Sequence, residues 1–240
     1  MRSTVLIASA GVIVWRVVAW LLVFTQEGVS SGALLMQSLL ATLGLAFLVC
    51  GWWVFSKIPG TAGLLFAGFC LCSGLHWGGP LELDGGSLRT ALILFYILVS
   101  SILGATLLLQ FALWFPREST LARKRFVIGL LYAPLVLATL LAVGALIGGS
   151  ADLVLLVHAV VSNLFSVVAL GIIASHLFRS ALTGAGKKYV GLMVLGMLLA
   201  WLPFLIASSI GVAADPWNLT VVALPITFAV AISAADRGLI

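Results

Sequence analysis

The sequence predicts an all-α fold: a polytopic transmembrane helix bundle of about eight spans, with both termini cytoplasmic and no soluble domain. Three observations predict it: the composition, a series of apolar segments of membrane-crossing length, and the placement of the basic residues. Of 240 residues, 63% are hydrophobic and 8% charged, against roughly 45–50% and about 25% in soluble domains. A water-soluble fold cannot hide that much apolar surface, so lipid must be the solvent.

The apolar segments run Thr4–Phe24, Ala33–Phe55, Thr61–Trp77, Thr90–Phe115, Phe126–Ile147, Leu153–Phe178, Tyr189–Val212 and Trp217–Ala235. Most have the ~17–25 residues that cross a ~30 Å hydrocarbon core. The third is short and holds Gly63, Gly68, Ser73 and Gly74, which makes it the weakest span. Met1-Arg2 could open a signal peptide, but no small-x-small site precedes Thr25-Gln26-Glu27, so Thr4–Phe24 reads as the first span. Ile58-Pro59-Gly60, Gly78-Gly79-Pro80, Gly148-Gly149-Ser150 and Asp215-Pro216 read as short turns between spans.

Charge sets the orientation. With the N-terminus inside, Arg2, Lys57, Arg117, Arg123, Lys124, Arg125, Arg179, Lys187, Lys188 and Arg237 fall on the cytoplasmic side. Glu27, Glu82, Asp84, Asp152 and Asp215 fall outside, with Arg89 the sole base there. This bias toward the inside supports both the orientation and the number of spans. The same reasoning excludes nucleic acid as the reason for the net charge of +5. Trp52, Trp53 and Trp114 at inner ends, and Trp77 and Trp217 at outer ends, read as interfacial anchors. Phe115 to Phe126 and Phe178 to Tyr189 look alike, each an aromatic exit followed by a basic cluster and an aromatic entry. Two inward-facing hairpins produce that pattern without duplication.

No catalytic constellation is legible. All seven carboxylates lie in loops or at interfaces, leaving no intramembrane acid for a proton relay or metal. P-loop, His-Glu-x-x-His and Gly-x-Ser-x-Gly motifs are missing from the sequence. The reading is therefore a non-enzyme without metal or cofactor. Cys50, Cys70 and Cys72 lie in apolar segments and read as packing residues. Of three histidines, only His76 and His158 fall in one leaflet, so a bis-histidine haem could use only that pair. Interfacial anchoring is the favoured role for all three.

Two features mark candidate binding residues. His158, Ser162 and Ser166 recur at i, i+4 and i+8 with Asn163 adjacent, a polar stripe that must turn toward the bundle interior. It serves either as a helix–helix seam or as the wall of a ligand site. Arg16 stands near the middle of the first span, where a charge costs from ~2.5 to well over 10 kcal/mol. Asn163, Gln37, backbone carbonyls, an anionic ligand or a lipid headgroup are its available partners. Pro134, Pro203 and Pro225 fall inside spans and are expected to kink them. Gly129/Ala133 and Gly196/Ala200 are small-xxx-small pairs that permit close helix approach.

Leu109-Gln110-Phe111-Ala112-Leu113-Trp114-Phe115-Pro116-Arg117 is a helix with an aromatic-Phe-Pro-basic exit. Trp201-Leu202-Pro203-Phe204 and Leu224-Pro225-Ile226-Thr227-Phe228-Ala229-Val230-Ala231-Ile232 follow the Lys187-Lys188 cluster. Together they resemble the multi-pass N-terminal input region of competence-type bacterial sensor histidine kinases and related signalling proteins. The resemblance runs from the fourth span onward. It implies sensing, a cytoplasmic signalling partner or fused output domain, and the final span as the output helix; the sequence carries no phosphoacceptor histidine region or ATP site of its own.

The expected function is thus a sensory module of a bacterial inner membrane. It would bind membrane lipid or a small hydrophobic or peptide ligand through Arg16, His158, Ser162, Asn163 and Ser166, and a homodimer is compatible with it. A small-solute transporter is the alternative, and a lipid-modifying enzyme the third reading.

Overall fold

The computed structural model describes residues 10–14, 31–58, 60–77, 87–116, 118–148, 150–178, 184–209 and 220–236. All regular structure among them is helical. The helices are α1 (Ser31–Lys57), α2 (Thr61–His76), α3 (Ser87–Tyr96), a π-helical segment (Ile97–Leu103), α4 (Gly104–Trp114), α5 (Arg125–Leu146), α6 (Asp152–Ser175), α7 (Gly184–Ser209) and α8 (Ala223–Asp236). Seven of the eight apolar segments therefore coincide with helices. The first span falls outside the described residues except for a helical stretch at 10–14. Arg16 lies outside them, as does the side chain of Gln37.

Among the described residues, four helical stretches are long and apolar enough to cross a membrane: Ser38–Lys57, Thr90–Trp114, Arg125–Leu146 and Asp152–Phe178. They mark the chain as a membrane protein. Their outward faces agree, since α5 leaves Leu130 and Leu140 more than 60% exposed and α6 leaves Val167 64% exposed. Such apolar surface suits acyl chains and is unfavourable in water.

The central layer is α2 against the π segment and α4. On one side α1 packs on α2, and α8 sits between α1 and α7. On the other side α6 packs on α4, with α5 on α6 and α7 touching α6. α2 is a short span, at 16 residues, or about 24 Å. Its weakness as a predicted span has a physical reason: it is enclosed by protein rather than lipid, with Phe66 and Cys70 fully buried.

Small residues set the close approaches. A β-carbon on Gly51 would stand 2.6 Å from Cys70 Cβ, and one on Gly104 would stand 3.1 Å from Cys72 Cβ. The two cysteines thus face α1 and α4 respectively, as packing residues two apart on a helix should. Gly196 holds α7 against Thr227 of α8. Gly129 and Ala133, by contrast, are both exposed, and nothing lies within 4 Å of a β-carbon on Gly129; this small pair carries no helix contact among the described residues.

One end of the bundle is tied by aromatic and polar contacts. Phe66 of α2, Phe111 of α4 and Phe228 of α8 meet at centroid distances of 5.5–5.8 Å, and all three are fully buried. Trp53 Nε1 donates to Ser233 Oγ at 3.1 Å, and Tyr132 OH donates to Gln110 Oε1 at 2.7 Å. Lys57, Arg123, Lys124 and Arg125 cluster at this end, in the turns that leave α1 and enter α5.

Two further sequence expectations change, at Pro225 and His176. Pro225 lies in the first turn of α8, after a 3₁₀ turn at 220–222, where a missing N–H removes no interior helical bond. It therefore does not seat a mid-helix bend, whereas Pro134 and Pro203 do lie inside their helices. His176 is buried at 2% exposure, not an interfacial anchor. The look-alike hairpins occupy unlike environments, with Phe115 buried and Phe178 87% exposed.

Candidate functional site

At the end of the bundle opposite Lys57 and Arg125, a cavity of about 360 Å³ opens among α2, the π segment, α4, α6, α7 and the start of α8. That volume falls at the lower end of small-ligand sites, which span ≈ 300–1,000 Å³. The whole predicted stripe lines it: His158, Ser162, Asn163 and Ser166. The helical spacing explains this, since one face of α6 is buried in the bundle at Val161, Ala169 and Ile173 and the adjoining face carries the stripe.

The opposite wall is built of residues outside the predicted stripe. Ser73, His76 and Trp77 come from the end of α2, and Ser100 and Ser101 from the π segment. Ser101 Oγ lies 3.3 Å and Ser100 Oγ 3.5 Å from His76 Nδ1; the tautomer decides which partner donates. Consecutive residues on an α-helix point about 100° apart. The looser π winding, a feature often found at functional sites, lets both serines face one imidazole. Tyr96 OH donates to the His76 carbonyl, and the Tyr96 ring stacks on the His76 ring at 5.9 Å and 14°. The legible signals were a Ser-Ser pair inside an apolar span and Ser73 three residues before His76, on one helix face.

His158 and His76 thus belong to two walls of one cavity, each with Nδ1 engaged by serine. On α6, Ser162 Oγ stands 3.3 Å from His158 Nδ1, and Asn163 Nδ2 donates to the Ala159 carbonyl at 2.7 Å. Among the described residues no charged side chain lines the cavity. Several of its polar atoms have no hydrogen-bond partner among the described residues: Ser73 Oγ, His158 Nε2, Asn163 Oδ1 and Ser166 Oγ. Such groups require water or a ligand, because an unsatisfied polar group in an apolar surround costs ≈ 1–3 kcal/mol. Among the described residues, no group of three His, Cys, Asp or Glu could hold a metal ion.

The floor is apolar. Phe69 and Phe47 line the cavity and pack edge to face at 6.0 Å. Leu108 of α4 and Leu224 of α8 complete it. One turn further along each of α2, α4 and α8 comes the Phe66, Phe111 and Phe228 cluster. The fully buried rings fill the bundle between the cavity and the basic end.

Glu118 and Arg123 order the turn between α4 and α5. Glu118 accepts from Arg123 Nε and, at 2.6 Å, from Nη2. This forked bond holds the Glu118 carboxyl below its usual range and raises the Arg123 guanidinium. Ser119 N donates to the Leu113 carbonyl at 2.8 Å, docking the turn on α4.

No protein-family model, curated protein or solved structure matches this chain.

Proposed function

We propose that the protein is a membrane-embedded sensory module of a bacterial inner membrane. It crosses the bilayer eight times, with both termini and the Lys57, Arg123–Arg125 and Lys187–Lys188 clusters on the cytoplasmic side. The basic clusters support that orientation by the positive-inside bias. A cysteine at exposed Thr120, in a Cys50→Ala background, should resist an impermeant thiol reagent on sealed cells, and one at Ser150 should react. Labelling of Thr120→Cys in sealed cells contradicts the topology.

The observation that carries the sensory reading is the set of unspent polar groups on the cavity wall above an apolar floor. A site of this composition binds a molecule with a small polar head and an apolar body. Three mutually packed, fully buried phenylalanines below it favour a receptor over a continuous solute path. α8 borders the cavity through Leu224, with Val221 of the preceding 3₁₀ turn, the aromatic layer through Phe228, and the basic end through Ser233. A shift at the cavity therefore reaches the proposed cytoplasmic side through one helix. Its output would pass to a cytoplasmic signalling partner or fused domain, as the resemblance implies.

The test is thermal melting of delipidated protein with and without total native lipid extract. The extract should raise the melting temperature of the wild type and not that of Ser162→Leu/Ser166→Leu. Equal stabilisation of both contradicts a binding role for the cavity.

A further inference from the structure

The geometry points to a membrane-dissolved, uncharged single-chain amphiphile as the ligand, an acyl chain with a hydroxyl or amide head, admitted sideways between α6 and α7. This rests on the cavity being a binding site and goes further, to the class of ligand and its route.

The head is fixed by what the wall can recognise. The free hydrogen-bonding capacity at Ser73, His158, Asn163 and Ser166 includes both donors and acceptors. Among the described residues no acidic or basic side chain lines the cavity to neutralise a charged head, and an unpaired charge in such a site is costly. A head that both donates and accepts without charge is an alcohol or an amide. The apolar floor takes the first part of its chain.

The route is fixed by Asn163. It lines the cavity yet is exposed, at the border between the polar stripe and the lipid-facing face of α6. Its neighbours at i−3 and i+4, Val160 and Val167, are 54% and 64% exposed. A polar side chain at such a border is expensive in lipid unless it lines a polar cavity. Across from it, Trp201 of α7 lines the same cavity, and the neighbouring Leu198 and Leu202 are both exposed. Both lips are therefore apolar outside, and the α6 lip is polar within. That arrangement receives a molecule already dissolved in the bilayer, head first.

The test is binding of three ten-carbon probes to delipidated protein by thermal shift: 1-decanoylglycerol, decanoate at pH 8, and decyltrimethylammonium. Decanoylglycerol should stabilise saturably, and Asn163→Leu and Ser166→Leu should each weaken it about tenfold, as loss of one hydrogen bond does. Ala159→Trp, which narrows the α6–α7 gap, should slow association and dissociation together. Equal Ser166-dependent binding of a charged probe overturns the ligand class. Stabilisation by glycerol but not decanoylglycerol, lost in Ser166→Leu, overturns the class and the route while leaving a binding cavity. Association unchanged by Ala159→Trp overturns the route. No stabilisation by any probe overturns this inference; native lipid extract that still stabilises in a Ser166-dependent way leaves the sensory reading standing, and extract that does not removes both.

Discussion

Gly196 and Thr227 pack so closely that a β-carbon on Gly196 would stand 2.8 Å from Thr227 Cβ. Thr227 cannot swing away freely, because its Oγ1 donates to the Ala223 carbonyl at 2.8 Å and its branched side chain is stiff at χ1. Here α7 and α8 meet backbone to side chain, which in lipid is a main source of helix association.

Gly196→Ala should therefore destabilise the protein by roughly 1–3 kcal/mol, the range for overpacking. The helix-propensity gain of ~1 kcal/mol from replacing glycine offsets part of that. Thr227→Gly should restore room, so the double variant should be more stable than the two single losses add up to. Additive melting-temperature losses would contradict the contact.

Pro225→Ala should shift the melting temperature little. The proline stands in the first turn of α8, so alanine restores no interior hydrogen bond. Pro203, inside α7, is the contrasting case: Pro203→Ala supplies an N–H to the helix ladder and should straighten it. Circular dichroism and melting of the two variants check the difference.

The turn at Glu118–Arg123 should loosen in acid. The forked bond depresses the Glu118 carboxyl, so its contribution is fully present above the unfolded carboxylate range. That contribution is lost as pH falls through the lowered folded value. Cleavage by a protease active in acid, or amide exchange at Ala122 and Lys124, should accelerate in that window in wild type. In Glu118→Gln, which lacks the titrating group, the acceleration should be absent and the basal rate at pH 7 higher. Identical pH profiles would show that the pair does not hold the turn.

Much of this was legible in the sequence because lipid imposes simple rules. Helices must satisfy their own backbone, so segment length located seven helices to within a few residues at most boundaries. The i, i+4, i+8 spacing put His158, Ser162 and Ser166 on one face, and the cavity lies against that face. The second wall was legible only in part, for a physical reason. A π winding brings Ser100 and Ser101 to His76, and regular helical spacing does not anticipate it. Pro225 was misplaced because hydropathy marks the apolar segment from Trp217, whereas α8 begins at Ala223. The aromatic cluster of Phe66, Phe111 and Phe228 joins three distant segments, and such a meeting is set by packing alone.

The most direct test of signalling through α8 is a distance measurement across the basic end. Spin labels at Ser56 of α1 and Val230 of α8, both exposed, report α8 against its neighbour; labels at Ser56 and Thr120 serve as reference. Adding native lipid extract to delipidated protein should shift the Ser56–Val230 distance distribution and leave Ser56–Thr120 in place. The Ser166→Leu variant should show no shift. An unchanged Ser56–Val230 distribution, at extract concentrations that stabilise the wild type, would contradict the lever role of α8.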